Sequence, residues 1–323
     1  MSGLERLWGL LQKAGYDTRA QRNAPLAPYT TYGVGGPADV LIIAETIDEL
    51  ATLVQMAHAA GVPGVVLGAG SNVLVADAGV RGLVILNRCV QHRIDDDGVL
   101  VAESGADLRK VARATVDAGW AGLDWAVGVP GSVGGGVVGN AGAYGGCIAD
   151  NLLWVDVALP DGSRALWGRD EMGYGYRTSA LKRLSDPDQR PVVLQAAFQL
   201  VKADPTALQE RVRAIQTQRL ARTPAGRCAG SVFKRTLHYP AGFLIEQAGL
   251  KGRRVGDAVV SDKHANFIMN EGRATAAEIR ELILLVQREV QQQLGELLEP
   301  EIEFVGAWDS GEGGAGTSEE RER

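Results

Sequence analysis

A short stretch of small residues around Ser231 is the part of this sequence best suited to chemistry. Residues 230–234 (GSVFK) present one hydroxyl beside a bulky aromatic, and arginines stand upstream at positions 219, 222 and 227. A serine alone is a poor acid or nucleophile, so neighbouring cations and carboxylates must set its chemistry. No G-x-S-x-G pattern surrounds Ser231, which argues against a hydrolase triad. We interpret Ser231 as a hydroxyl that passes a proton to a bound anion, and a serine in a tight turn is the alternative.

Two glycine-rich loops are candidates for phosphate binding. In residues 68–72 (GAGSN) the backbone N–H groups can point at one anion, and Ser71 and Asn72 add side-chain donors. In residues 129–135 (VPGSVGG) the proline stiffens the entry and the glycines permit close approach of a planar or phosphorylated ligand. Neither loop has the Lys-Ser/Thr of a P-loop, and neither completes a G-x-G-x-x-G that opens a helix. Plain turns after strands are the alternative for both.

Composition restricts the class of protein. The 323 residues include 46% apolar and 22% charged residues, as in an ordinary globular protein. The net charge of −6 argues against general nucleic-acid binding, which needs a basic field. No apolar run approaches the roughly 18 residues of a membrane span, so no membrane partner is expected. Cys89, Cys147 and Cys228 lack the spacing of a disulfide framework or a metal site, which fits a cytoplasmic protein without a bound metal.

The elements that must position the loops alternate between helix and strand. Strands are predicted over residues 40–44, 65–67, 83–86, 98–103, 153–159 and 192–201. Helices are predicted over residues 4–14, 47–60, 107–118 and 206–222, and over a final segment that follows Thr275. Capping boxes, Thr46 with Glu49 and Thr275 with Glu278, open the second and the last of these helices. Residues 122–146 are rich in glycine and show no helical period, and residues 309–323 read as a disordered tail.

Eight motifs, in their order along the chain, resemble those of the UDP-N-acetylenolpyruvoylglucosamine reductases. They are residues 24–27 (APLA) with 30–31 (TT) and 35–38 (GGPA), 68–74 (GAGSNVL), 128–135 (GVPGSVGG), 140–145 (NAGAYG), 176–179 (YRTS), 229–234 (AGSVFK), 263–268 (KHANFI) and 298–302 (LEPEI). One such motif is weak, but the ordered series over residues 20–306 is specific. The sequence is therefore identified as similar to this family of flavoenzymes.

The resemblance implies an α+β fold. A two-lobed FAD-binding domain of the vanillyl-alcohol-oxidase (PCMH) type would be followed by a C-terminal α+β substrate-binding domain. The expected bounds are an N-terminal helix (1–22), the FAD-binding domain (23–203, with lobes of about 23–90 and 91–203), the substrate-binding domain (204–307) and the tail (308–323).

The resemblance also implies an activity. NADPH would reduce a non-covalently bound FAD, whose N5 would then give hydride to the enolpyruvyl group of UDP-N-acetylglucosamine enolpyruvate, a step of peptidoglycan precursor synthesis. Arg177, Ser231 and Glu301 carry over as the catalytic residues. Ser231 would protonate the enolate carbon, and Arg177 would stabilise the charge on the substrate carboxylate. Glu301 would hold a proton or orient the substrate.

The binding residues implied by the resemblance form two groups. The cofactor contacts would be Gly68, Ala69, Gly70, Ser71, Asn72, Val129, Pro130, Gly131, Ser132, Gly134, Gly135, Asn140 and Tyr144. The substrate contacts would be Arg219, Arg222 and Lys234. Two positions depart from the family pattern: Arg235 stands where asparagine is usual, and Glu303 stands where many members have arginine. The short spacing between Ser179 and Ser231 resembles the variety of the family that lacks a tyrosine-bearing lid loop.

Two alternative functions stay open at this point. A flavin oxidase of the same fold would act on sugars or lactones, but many of these tether FAD through a histidine near the loop that binds the pyrophosphate. The resemblance implies that residues 68–72 form that loop here. No histidine lies between His58 and His92. A nucleotide-sugar sensor would bind without turnover, and the presence of all three catalytic residues argues against it. Arg177 as a solvated ion-pair partner is the alternative for that residue.

Overall fold

The computed structural model describes residues 1–184 and 189–308. Within these ranges the α-helices are α1 (Gly3–Lys13), α2 (Ile47–Ala60), α3 (Leu108–Asp117), α4 (Val133–Gly139), α5 (Ile148–Asn151), α6 (Ala180–Arg183), α7 (Pro205–Arg222), α8 (Ala241–Gln247) and α9 (Ala276–Leu294). The strands are β1 (Gln21–Pro25), β2 (Pro37–Ala44), β3 (Gly64–Leu67), β4 (Val73–Val75), β5 (Val80–Asn87), β6 (His92–Ile94), β7 (Val99–Glu103), β8 (Trp120–Ala121), β9 (Gly142–Ala143), β10 (Gly146–Cys147), β11 (Leu152–Ala158), β12 (Arg164–Gly168), β13 (Val192–Gln199), β14 (Val201–Lys202), β15 (Arg254–Val255), β16 (Ala258–Val260), β17 (Ile268–Asn270) and β18 (Glu303–Val305). The tail predicted over residues 309–323 lies outside the described residues.

The first sheet has the strand order β1-β2-β5-β3. Both β2 and β3 pair parallel with β5, whereas β1 pairs antiparallel with β2. Helix α2 connects β2 to β3 and buries Leu50 and Leu53 in the same cluster as Leu83 and Ile85 of β5. Because β3 ends at Leu67, this sheet presents the first glycine loop at its edge.

The two predicted capping boxes differ in detail. At α9 both halves are present, since the Glu278 N–H donates to the Thr275 hydroxyl (3.1 Å) and the Thr275 N–H donates to the Glu278 carboxylate (2.8 Å). At α2 only half of the prediction is confirmed. The Glu49 N–H donates to the Thr46 hydroxyl (3.2 Å), but the Glu49 carboxylate accepts from the N–H of Glu45 (2.9 Å). The helix still ends where predicted, at Gly61 with φ +63°.

The second sheet is antiparallel throughout, with the order β12-β11-β13-β7-β6. Val155 of β11 and Phe198 of β13 are fully buried and share a cluster with Val111 of α3 and Val137 of α4. Helices α3 and α4 therefore cover one face of this sheet, and the second glycine loop, which precedes α4, lies beside it.

Residues 122–146, which show no helical period in the sequence, nevertheless contain two short helices. A 3-10 helix spans Asp124–Gly128, and α4 contains three successive glycines. The N–H of Gly135 donates to the Ser132 hydroxyl (3.3 Å), and a Cβ added at Gly134 would lie 2.8 Å from Cβ of Ser104. Packing against the second sheet stabilises this helix, and periodicity does not reveal such a contact.

The C-terminal part builds a core and then returns to the segment that follows the first glycine loop. Five of the six apolar residues predicted to pack in the core on α9, at positions 279, 282, 283, 286 and 290, are buried, whereas the sixth, Leu294, is 39% exposed. Ile279, Leu282 and Ile283 share a cluster with α8 and the β15-β16-β17 sheet. Strand β18 then pairs parallel with β4, directly after the first glycine loop. The Asp77 carboxylate accepts from the N–H groups of Ala276 (2.9 Å) and Ala277 (2.8 Å), which fixes the start of α9 against the first sheet.

The three cysteines are separate from one another in the fold. Cys89 is buried, Cys147 and Cys228 are half-buried, and all three are free thiols. None of the helices in the described ranges combines the length and the apolar character needed to cross a bilayer.

Candidate active site

One large cavity connects the two glycine loops with all three predicted catalytic residues. Its volume is about 1210 Å³, and Arg177, Ser231 and Glu301 line it together with residues 68–73 and 128–132. These residues come from three distant parts of the chain. The cavity therefore assembles only when the two sheets and the C-terminal part pack together.

The first glycine loop curls tightly against the segment that precedes β2. Gly70 has φ +60°, and its carbonyl accepts from the Thr31 N–H (3.0 Å) and the Thr31 hydroxyl (3.2 Å). A Cβ at Gly70 would lie 2.1 Å from the carbonyl oxygen of Tyr29. Only glycine fits this position, and the loop can present its remaining backbone groups to a ligand.

The second glycine loop faces the first across the cavity. Gly131 has φ +134°, and its carbonyl accepts from the Leu108 N–H (3.0 Å), which fixes the loop to the start of α3. A Cβ at Gly68 would lie 2.3 Å from the Ser132 hydroxyl oxygen, so the two loops are in contact. This close pairing leaves room for an elongated ligand along both loops and for no bulky side chain between them.

Arg177 occupies a strained backbone position. Its φ of +56° is unusual for a residue other than glycine, and strain of this kind is typical of functional sites. The guanidinium donates through Nη2 to the carbonyl of Gly142 (2.8 Å), and its Nε lies 2.8 Å from Oε1 of Glu301. Nε makes no hydrogen bond within residues 1–184 and 189–308, so the contact with Glu301 is an ion pair without an aligned N–H.

Glu301 is fixed through its backbone between the serine segment and the first glycine loop. Its N–H donates to the carbonyl of Val232 (2.7 Å), and its carbonyl accepts from Nδ2 of Asn72 (3.1 Å). The side chain is 18% exposed. Burial raises the pKa of the Glu301 carboxyl, and the positive charges of Arg177, Lys182 and Lys234 offset part of that rise.

Ser231 precedes two residues, Val232 and Phe233, whose backbone groups are hydrogen-bonded to Asn266. The Nδ2 of Asn266 donates to the carbonyl of Phe233 (2.8 Å), and its Oδ1 accepts from the Phe233 N–H (2.9 Å). The Val232 N–H donates to the Asn266 carbonyl (2.9 Å). Gly230, with φ +76°, turns the chain so that Ser231 reaches the cavity.

These side chains together can transfer a proton to an anionic substrate. A guanidinium stabilises negative charge that develops on a carboxylate. A hydroxyl beside it can protonate a strongly basic carbon in a site from which water is excluded. A carboxyl of raised pKa can hold a proton that an exposed carboxyl would lose.

The structure distributes the other predicted binding residues unevenly. Arg219 and Tyr144 line the cavity, and a Cβ at Gly128 would lie 3.3 Å from the Tyr144 ring and 3.5 Å from the Arg219 stem. Arg222 is exposed, and Lys234 forms an ion pair with Glu299. Neither Arg222 nor Lys234 lines the cavity of the described residues, so their substrate contacts stay predictions.

Asn140 also stays a prediction without a cavity contact to support it. Its Nδ2 donates to the carbonyl of Gly175 (3.0 Å), and its Oδ1 accepts from the Ala149 N–H (3.1 Å). The residue has φ +45° at the C-terminal end of α4. In this position its amide supports the backbone beneath the cavity.

Lys182 and Arg190 also line the cavity, although neither is among the residues predicted from the sequence. Lys182 lies three residues after Ser179, whose hydroxyl accepts the Lys182 N–H (3.2 Å) and so starts α6. A cap followed by a basic residue directly after the YRTS motif was the available signal for Lys182. No local sequence signal marks Arg190, because its position depends on how the strand that follows it, β13, packs in the second sheet.

Two family models match the chain. The model described as "FAD binding domain" covers residues 38–165, and the one described as "UDP-N-acetylenolpyruvoylglucosamine reductase, C-terminal domain" covers residues 221–305. The first match includes both glycine loops, where only glycine fits at Gly70 and the cavity follows the two loops. The residues present therefore fit FAD, and the predicted α+β fold class is confirmed.

Curated relatives extend the match over nearly the whole chain. UDP-N-acetylenolpyruvoylglucosamine reductase of Rubrobacter xylanophilus is 44% identical over 288 residues, which is 89% of this chain and 95% of the relative. The enzyme of the same name from Chloroflexus aggregans is 42% identical over 286 residues, which is 88% of this chain and 96% of the relative.

A solved structure agrees in fold. UDP-N-acetylenolpyruvylglucosamine reductase (MurB) from Thermus caldophilus superposes with a TM-score of 0.75 at 37% identity, and the match covers 89% of this chain and 99% of that chain. Identity at this level over most of both chains confirms the resemblance carried by the motifs. The chain belongs to the UDP-N-acetylenolpyruvoylglucosamine reductase family.

Proposed function

We propose that this protein reduces the enolpyruvyl group of UDP-N-acetylglucosamine enolpyruvate to give UDP-N-acetylmuramate, with NADPH as the hydride donor, in peptidoglycan precursor synthesis. The observation that carries the proposal is the ion pair of Arg177 and Glu301, which lines the same cavity as Ser231 and the FAD loops. Relatives that cover this chain almost fully bear the corresponding name, which supports the same activity here.

The protein residues would handle the proton and the charge. When bound, FAD supplies the hydride chemistry, taking hydride from NADPH and passing it to the substrate. Ser231 donates a proton to the carbon next to the substrate carboxylate, where negative charge develops. Arg177 stabilises that charge, because its guanidinium cannot deprotonate and matches a carboxylate in geometry.

Glu301 would have two effects in the same step. Its backbone keeps the serine segment next to the first glycine loop through contacts with Val232 and Asn72. Its carboxylate orients the Arg177 guanidinium through the ion pair, and its raised pKa makes it take up a proton more readily than an exposed glutamate does. This arrangement favours one orientation of the enolpyruvyl group over the flavin.

The binding assignments are proposals as well. We assign FAD contacts to residues 68–72, 129–132, 134, 135 and 144, all of which line the cavity. Arg219 is the cavity cation best placed for the substrate, because within the part of the chain described it forms no ion pair. Arg222 and Lys234 do not line the cavity of the described residues, and their contacts with the substrate are assigned from the resemblance alone.

The domain bounds and the cellular setting complete the proposal. The division into residues 23–90, 91–203 and 204–307 is supported by the two sheets and by a further core that comes mostly from residues after 228. Tyr32, Val34 and Leu74 also belong to that core, and α7 packs against Val116 of the middle segment. Three free cysteines support a reducing, cytoplasmic setting. The net charge of −6 supports a small-molecule partner over nucleic acid.

The test is turnover by the purified protein. A yellow protein that oxidises NADPH only after UDP-N-acetylglucosamine enolpyruvate is added would support the proposal. Mass spectrometry should then show a product heavier by one hydride and one proton. Omission of the enolpyruvyl substrate is the matched control.

Two outcomes would overturn the proposal. Oxygen consumption with free sugars, without reaction of the enolpyruvyl substrate, would indicate a flavin oxidase. Binding of the nucleotide sugar with no turnover, in protein that contains full flavin, would indicate a sensor.

A further inference from the structure

Glu303 lies beside the first glycine loop. Its N–H donates to the carbonyl of Asn72 (2.9 Å), and its Cα is the β-partner of Val73. The side chain lines the cavity. A carboxylate at this position would by itself repel a phosphate bound to the loop.

Two cations from the second lobe meet this carboxylate. Nζ of Lys182 lies 3.3 Å from one Glu303 oxygen, and Nη1 of Arg190 lies 3.9 Å from the other. Lys182 comes from α6, and Arg190 stands two residues before β13. Their side chains are mostly covered, at 18% and 26% exposure, and both line the cavity.

The charges of this cluster do not cancel. Two cations against one carboxylate leave one positive charge at the edge of the loop, and Nε of Arg190 is buried without a hydrogen-bond partner in the described residues. A tether, meaning an ion pair that only holds the two lobes together, would need one cation for one carboxylate. The surplus charge and the free donor instead suit an anion in the cavity.

We infer that Lys182 and Arg190, oriented by Glu303, bind the pyrophosphate of FAD at the end of the first glycine loop, where β18 pairs with β4. The cluster adjoins the loop to which the pyrophosphate is assigned, because the Glu303 N–H donates to the Asn72 carbonyl and Glu303 pairs with Val73. The two cations thus offset the negative charge that Glu303 places beside the loop. The inference rests on FAD binding and does not depend on which substrate is reduced.

The test measures FAD affinity directly. Flavin is removed, and the protein is titrated with FAD while the quenching of flavin fluorescence is followed. Lys182→Met and Arg190→Met should each raise the dissociation constant by about tenfold or more, the scale of a lost charge-assisted hydrogen bond. Lys182→Arg should retain most of the affinity. Lys110→Met, on the exposed face of α3, is the matched control and should bind FAD like the wild type.

A rescue experiment separates a phosphate contact from a structural tether. Lys182→Met combined with Glu303→Arg places a cation on β18 and should recover most of the lost FAD affinity. A tether would not recover, because Glu303→Arg faces Arg190 with a like charge. Thermal unfolding of the flavin-free variants checks that each one folds. If Lys182→Met does not fold, Arg190→Met replaces it in the rescue experiment.

Three results would overturn the inference. One is unchanged FAD affinity in both methionine variants. Another is unchanged FAD affinity with a raised KM for NADPH or for the enolpyruvyl substrate at saturating FAD, which would place another anion at the cluster. The third is a loss of thermal stability in the flavin-free protein with no recovery of FAD affinity by Glu303→Arg, which would indicate a tether only.

Discussion

Nε of Arg177 lies 2.8 Å from Oε1 of Glu301, although 123 positions separate the two residues in the chain. Arg177 belongs to a turn between β12 and α6, and Glu301 precedes the last strand, β18. Their contact closes the cavity between the second sheet and the C-terminal part. It also joins a fixed positive charge to a carboxyl whose pKa is raised by burial.

Glu301 makes the stability of the flavin-free protein depend on pH. Its folded-state pKa lies above its ordinary value of 4.5, so the folded state binds this proton more tightly than the unfolded state. The resulting stability is complete below pH 4.5 and is lost as pH rises through the raised pKa. Relative to Glu301→Gln, the wild type should therefore lose free energy of unfolding as pH rises. Urea unfolding of both proteins over a pH series measures this difference, and a difference that is constant with pH would contradict it.

Gly70 should be essential for flavin binding. Gly70→Ala places a methyl group 2.1 Å from the Tyr29 carbonyl oxygen at a φ of +60°, so the loop must move. We expect purified Gly70→Ala to contain much less flavin, measured by the ratio of flavin to protein absorbance. Gly9→Ala on α1, whose added methyl has no atom within 4 Å, should retain full flavin. Full flavin in Gly70→Ala would argue against this loop as the pyrophosphate site.

Asp77 should stabilise the packing of the C-terminal part against the first sheet. Asp77→Ala removes the acceptor for two N–H groups in the first turn of α9 and should cost about 1 kcal/mol of unfolding free energy. Asp77→Asn keeps an acceptor and should cost less. Urea unfolding of the flavin-free proteins measures both, and equal stability of Asp77→Ala and wild type would show that the contact contributes nothing.

The sequence predicts the fold best where one element contains its own signals. Helix α9 has its capping box and its buried stripe within one segment, and both appear in the structure. Helix α4 has neither a period nor helix-favouring residues, and its Gly134 is needed for the close approach to Ser104. That contact crosses between distant segments and is invisible to a local pattern.

The same distinction holds at the site. Ser231, Arg177 and Glu301 lie within recognisable motifs, and the structure brings all three to one cavity. Lys182 and Arg190 form a charged cluster at the cavity only because both pair with Glu303. The pairing of β18 with β4 brings Glu303 to them. Such a long-range neighbour cannot be read from spacing. Asn140 differs, because it lies in a recognisable motif but both atoms of its side-chain amide are hydrogen-bonded to backbone groups.

The role of Ser231 as proton donor is the central claim, and rapid kinetics of Ser231→Ala tests it most directly. Reduction of the flavin by NADPH should stay close to the wild-type rate, because Ser231 has no part in that half-reaction. Reoxidation of the reduced protein by UDP-N-acetylglucosamine enolpyruvate should slow by roughly 100-fold or more, the scale of lost general-acid catalysis. Ser163→Ala, in the exposed turn between β11 and β12, is the control and should leave both rates unchanged. An equal loss in both half-reactions of Ser231→Ala, or no loss in the second, would contradict the account.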